Sequence, residues 1–232
     1  MLLAILGMLG PFSVDTYIPA FSGIAKALGA TPVEMQQTLS AYLLGFAFMN
    51  LFHGALADSF GRRPVILWGL MAFTLASLGC ALAQNVTQLI VFRAMQGLSC
   101  GAGVVVSRAI VRDIFPPTQA QKVMSQITIF FGLAPAIAPI MGGWLFVSLG
   151  WHSIFWLLTA IGLALWAVNF KMLPESLHAS QRQPFSIPHL MRGYWQLCTD
   201  PRFLLLALAS GIPFNGMFLY VLSAPAFLGD IL

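Results

Sequence analysis

A chain of 232 residues with 59% apolar side chains, 8% charged ones and a mean hydropathy of +0.85 is no ordinary soluble domain, in which about a quarter of residues are charged. Its net charge of +4 is spread thinly with no polybasic run, which excludes a disordered chain and a nucleic-acid binder and leaves the lipid bilayer as the natural solvent. About 137 apolar residues suffice for roughly seven segments of about 20 residues, the length that crosses a 30 Å hydrocarbon core.

Polar punctuation divides the chain into predicted helices over 2–24, 35–57, 64–83, 88–108, 123–149, 153–172 and 202–222. The first lacks a basic flank and stays apolar too long for a signal peptide, so it is expected to be a retained span. Connections are short except for residues 173–201. With the amino terminus in the cytoplasm, inner loops and flanks hold Arg62, Arg63, Arg112, Lys122, Lys171, Arg182, Arg192 and Arg202, and outer loops hold only Lys26. Lys and Arg concentrate in cytoplasmic loops, so this bias sets the orientation. It leaves Arg93 and Arg108 inside helices.

After Pro188 the long connection spaces Leu190, Met191, Tyr194, Trp195 and Leu197 as an amphipathic helix would, suited to tethering two bundles along a membrane surface. Cys80, Cys100 and Cys198 have no metal-ligand spacing and are expected as free thiols. His53, His152, His178 and His189 are scattered, and no phosphate-binding loop is present, so neither an enzyme nor a metal or organic cofactor is expected.

Four stretches carry chemistry. Between the second and third helices runs Gly54-Ala55-Leu56-Ala57-Asp58-Ser59-Phe60-Gly61-Arg62-Arg63-Pro64. Glycine permits a tight turn, Asp58 offers a helix-capping acceptor, and Arg62 and Arg63 hold the turn on the inner side. The fourth helix opens with Arg93-Ala94-Met95-Gln96-Gly97, which puts Arg93 about five residues, or roughly 8 Å, inside the outer boundary. At that depth a guanidinium needs a polar cavity, a partner or a route to the interface. The fifth helix carries Ala134-Pro135-Ala136-Ile137-Ala138-Pro139-Ile140-Met141-Gly142-Gly143, which predicts a kinked helix against a close neighbour. The first holds Asp15 near its middle, within Asp15-Thr16-Tyr17-Ile18-Pro19-Ala20. An ionisable residue at the midplane is either a proton or substrate site or half of an ion pair, and Arg93 is the partner at comparable depth.

The inner loop resembles the G-x-L-A-D-x-x-G-R-R/K signature of the major facilitator superfamily, and Arg93-x-x-Gln96-Gly97 resembles its second motif. The fifth helix resembles the motif of the drug:proton antiporter branch, with Ala134 and Ala138 in place of glycines. Asp15-x-Tyr17-x-Pro19-Ala20 and Arg112-Asp113-Ile114-Phe115 resemble the bicyclomycin-resistance and chloramphenicol-efflux subfamily. The resemblance implies an all-α integral membrane fold, with a six-helix bundle over 1–173, a cytoplasmic linker over 174–201 and the first helix of a second bundle over 202–232. It implies a gate latch of Gly54, Asp58, Gly61, Arg62, Arg63 and Asp113, with Arg62 paired to Asp113, a packing motif at Pro135, Pro139, Gly142 and Gly143, and proton coupling by Asp15 and Arg93. Tyr17, Tyr42, Asn50, Gln96 and Asn215 are candidate cavity residues.

These readings describe a multi-pass transporter of a bacterial inner membrane that exports amphipathic small-molecule drugs in exchange for protons, the proton being its coupling ion. An uncoupled metabolite facilitator is the alternative. Twelve helices are the family's usual number, so seven also leave open a partial chain inactive by itself.

Overall fold

The computed structural model describes residues 1–212, and all of their long elements are helices. Two compact units divide the chain, Met1–Phe185 and a second beginning at Ser186. The first unit contains six segments long and apolar enough to span a membrane.

The first span, Leu2–Leu28, is broken. It consists of α1 (Leu2–Asp15), a turn with a short 3₁₀ segment, and α2 (Phe21–Leu28). Pro19 has no N–H to give the Asp15 carbonyl, so the ladder tightens: Tyr17 N–H bonds Val14 and Ala20 N–H bonds Tyr17, three residues back rather than four. The expected continuous helix over 2–24 is corrected on this point, because an apolar run does not register a missing donor.

The second span, α3 (Pro32–Phe60), starts at a capping box in which Thr31 Oγ1 accepts from the Glu34 N–H and Glu34 accepts from the Thr31 N–H. Then come α4 (Arg62–Ala81), α5 (Val86–Ile114), α6 (Pro117–Leu149) and α7 (His152–Met172). Asn85 caps α5 by accepting the Gln88 N–H, and α6 stays helical through Pro135 and Pro139.

The central helix of the unit is α5, on which α3, α4 and α1 pack; α4 also packs on α7, and α1 on α6. At Gly97 a Cβ would strike the Tyr42 carbonyl, so α3 reaches α5 backbone to backbone. Leu6, Ile24, Phe73, Leu89, Ile110 and Phe155 fill the core. In contrast α6 exposes Ile140, Trp144 and Val147, as a helix with one packed side does.

The second unit's described part comprises α8 (Ile187–Thr199), where Ser186 Oγ accepts the His189 N–H, and α9, the apolar helix Pro201–Ile212. The rest of the helix expected over 202–222 lies outside the described residues, as does Asn215. Residues 174–185, expected as the start of the linker, belong to the first compact unit, which ends at Phe185.

Candidate functional site

Arg93 is fully buried. Its guanidinium carbon sits 4.6 Å from the Tyr17 ring centroid and 4.4 Å from that of Tyr42. Nη1 donates to Gln96 Oε1 at 2.7 Å and to the Ser13 carbonyl at 3.4 Å. The cage is itself tied down. Tyr17 and Thr38 share a 2.7 Å hydroxyl pair, Tyr42 and Ser13 another, and Gln96 Nε2 donates to Ser77 Oγ at 2.7 Å. A desolvated guanidinium over an aromatic face gains about 2 kcal/mol, so two faces and an amide oxygen account for a buried arginine without an acid.

Asp15, the expected partner, ends α1 half-buried, and no hydrogen bond or ion pair reaches its carboxylate among the described residues. The Asp15–Arg93 ion pair is therefore not formed in this arrangement. Nε and Nη2 of Arg93, the edge that would grip a carboxylate with two parallel bonds, have no partner. Depth along a helix follows from spacing, but which way each side chain turns does not.

Tyr17, Tyr42 and Gln96, expected as cavity residues, close around Arg93 in this arrangement. Asn50 is half-buried against Gly101, its Oδ1 without a partner. A cavity of about 360 Å³ lies elsewhere, between α3, α4 and α5, with His53 and Trp68 in its wall. Arg108 is exposed on α5 six residues from its inner end, where a long side chain reaches the interface.

The fifth-helix motif lies against the break in the first span. Ala134, Ala138 and Gly142, one turn apart, are the buried residues of its contacting face. A Cβ on Gly142 would run into the Thr16 carbonyl, beside Asp15, whereas one on Gly143 would meet Pro19 Cβ at an ordinary 3.8 Å. Pro135 and Pro139 are half-buried. The two alanines thus stand where α1 and α6 touch, and an alanine fits there.

At the inner end, Gly61 turns the chain with φ of +103°, where a side chain would be strained. Arg62 pairs with Asp58, and its Nε donates to Asp113 Oδ2 at 3.0 Å, joining the ends of α3 and α5. Arg63 Nη2 donates to the Phe170 carbonyl at 2.6 Å and stacks on that ring, reaching α7. Gly54 lies within α3, where an added Cβ would touch only Val105 at 3.9 Å.

The sequence reasoning missed the acid that completes this cluster. Glu175 Oε1 accepts the Arg62 N–H at 2.9 Å and the Leu177 N–H at 3.1 Å; Oε2 accepts the Arg63 N–H at 3.3 Å. Ser176 donates to Asp113 Oδ2 at 3.1 Å, and the Gln183 N–H donates to the Asp58 carbonyl at 3.1 Å. A carboxylate at the first N–H groups of α4 is where a helix favours negative charge. With more than a hundred residues between partners, no local pattern marks it.

Residues 3–232 match the family model of the Major Facilitator Superfamily. A bicyclomycin resistance protein homolog of Haemophilus influenzae is 39% identical over 94% of this chain and 55% of its own length. An uncharacterized MFS-type transporter of Bacillus subtilis is 38% identical over 99% and 58%. A multidrug resistance protein of Shewanella oneidensis is 32% identical over 78% and 46%. The chain thus spans about half the length of the curated relatives it matches. Among solved structures, the human organic anion transporter matches with TM-score 0.61 and 24% identity over 81% of this chain and 51% of its own, and a peptide transporter with TM-score 0.68 and 17% identity over 94% and 45%. Both share the fold.

Proposed function

The chain belongs to the major facilitator superfamily, a family of transporters, and from that premise we propose that it forms the first half of a proton-coupled exporter of amphipathic small molecules. The membrane is a bacterial inner membrane, with the amino terminus in the cytoplasm. The relatives named for bicyclomycin and multidrug resistance support the cargo class, and the inner-loop arginines support the orientation.

The observation that carries the coupling is the pair of unmatched groups within the membrane-spanning segments. Among the described residues Asp15 has no partner at the end of a broken helix, and Arg93 has an open bidentate edge held rigid by two tyrosines. With the transporter open outward, Asp15 carries a proton and stays apart from Arg93. On facing inward it gives up the proton, and its carboxylate becomes the natural occupant of the arginine's free edge. The break before Pro19 gives the first span a hinge where it meets α6 at Gly142, so its Asp15 end can shift against α6. Asp58, Arg62 and Asp113 hold the inner ends together in the outward-open state. One proton moving down 100 mV supplies about 2.3 kcal/mol, roughly 50-fold accumulation of a neutral drug.

The test is efflux from everted vesicles carrying the chain extended to its relatives' length. Uphill efflux abolished by a proton uncoupler supports the reading; efflux insensitive to the uncoupler supports an uncoupled facilitator. The 232-residue chain in the same assay shows whether the half moves anything alone.

A further inference from the structure

The residues after α7 do more than lead away from the bundle. Leu173 and Leu177 are buried, and around them Glu175 takes the Arg62 and Arg63 N–H groups, Ser176 takes Asp113, and Gln183 takes the Asp58 carbonyl. Every one of these partners lies in the turn 58–63 or is the acid bound to it. Asp113 Oδ2 is shared between Arg62 and Ser176, and Asp58 gives its carboxylate to Arg62 and its carbonyl to Gln183. Arg182 adds a 3.9 Å contact to Glu175. A Cβ on Gly61 would lie 2.5 Å from Glu175 Oε2, so the acid closes on the turn at a distance that only glycine leaves open. The docked segment ends at Phe185, where the second unit begins.

We propose that residues 174–185 form a strap that closes and opens with the inner latch, and that Glu175 is its positioning residue: it holds the start of α4, and through it Arg62, in the latched arrangement. Rearrangement of the turn removes the strap's anchors together, so the chain entering the second unit is released with the latch. The link runs both ways, since an equilibrium coupling is reciprocal. It rests on the latch reading of Asp58, Arg62 and Asp113.

The chemistry distinguishes charge from shape at Glu175. In Glu175→Gln one oxygen can still accept the Arg62 and Leu177 N–H groups, but the amide NH₂ would face the Arg63 N–H and Arg182, donor against donor.

Amide hydrogen exchange on the detergent-solubilised 232-residue chain tests this without any transport, so failure of the strap and failure of the transport reading are separable. Glu175→Gln is expected to speed exchange about tenfold at the Gln183 amide as well as at Arg62 and Arg63, as loss of one hydrogen bond to a charged group allows. Asp113→Asn should do the same at Gln183, although it touches neither Glu175 nor Gln183. Ser176→Ala, a mild change at the edge of the cluster, should give a smaller acceleration at Gln183 and serves if the other variants fail to fold. Acceleration confined to Arg62 and Arg63 in Glu175→Gln, or an unchanged Gln183 rate in Ser176→Ala and Asp113→Asn, would overturn the strap and leave Glu175 a simple helix cap.

Discussion

A buried arginine normally signals a buried acid, but Arg93 is held by ring faces. Tyr17 and Tyr42 approach its guanidinium to 4.6 and 4.4 Å, while Asp15 is without a partner among the described residues. Stability should therefore depend on the tyrosines and not on the aspartate. Tyr17→Leu and Tyr42→Leu are each expected to lose about 2 kcal/mol in unfolding of the solubilised chain followed by circular dichroism, since each removes a desolvated cation–π contact. Asp15→Asn should stay within about 0.5 kcal/mol, the range of substitutions that break no contact. An Asp15→Asn loss as large as the tyrosine losses would restore the ion pair. Arg93→Lys keeps the charge but gives up the flat stack and the two-nitrogen edge, so it should match the tyrosine variants in stability.

At the scale of elements, close approach and missing donors decide the architecture. The backbone of α6 meets the Thr16 carbonyl at Gly142 with no room for a methyl group, whereas Gly143 has that room. Gly142→Ala should cost about 1 to 3 kcal/mol by overpacking, Gly143→Ala less than half as much, and Pro139→Ala should be tolerated because it restores an N–H at a half-buried site. Equal effects of the two glycine substitutions in thermal unfolding would refute this packing. Six of the expected spans and the inner turn were legible because apolar runs, Gly61 and the arginine pair are local signals, whereas the polar ends of α3, α5 and α6, which stay helical beyond their apolar runs, were not. The break before Pro19 was not, since the apolar run continues through it, and neither was Glu175, whose partners lie across the bundle. Ala134 and Ala138 looked like defects in a motif, yet they occupy the face that touches α1.

At the scale of the molecule, six membrane-length spans make up the first unit with α5 at its centre, and the loop arginines and lysines support the proposed orientation. In a Cys198→Ser background, with Cys80 and Cys100 buried, Gln84→Cys should react with an impermeant maleimide from outside intact cells and Gln183→Cys only after lysis. The reverse pattern would invert the proposed topology. The central claim is that Asp15 carries the proton exchanged for drug, and its most direct measurement is drug-induced proton release, followed with a pH dye, by the purified chain extended to its relatives' length. Drug should release protons from the wild-type protein and none from Asp15→Asn, while the variant still binds neutral drug. Unchanged proton release and uphill efflux in Asp15→Asn would contradict the claim and remove Asp15 from the coupling.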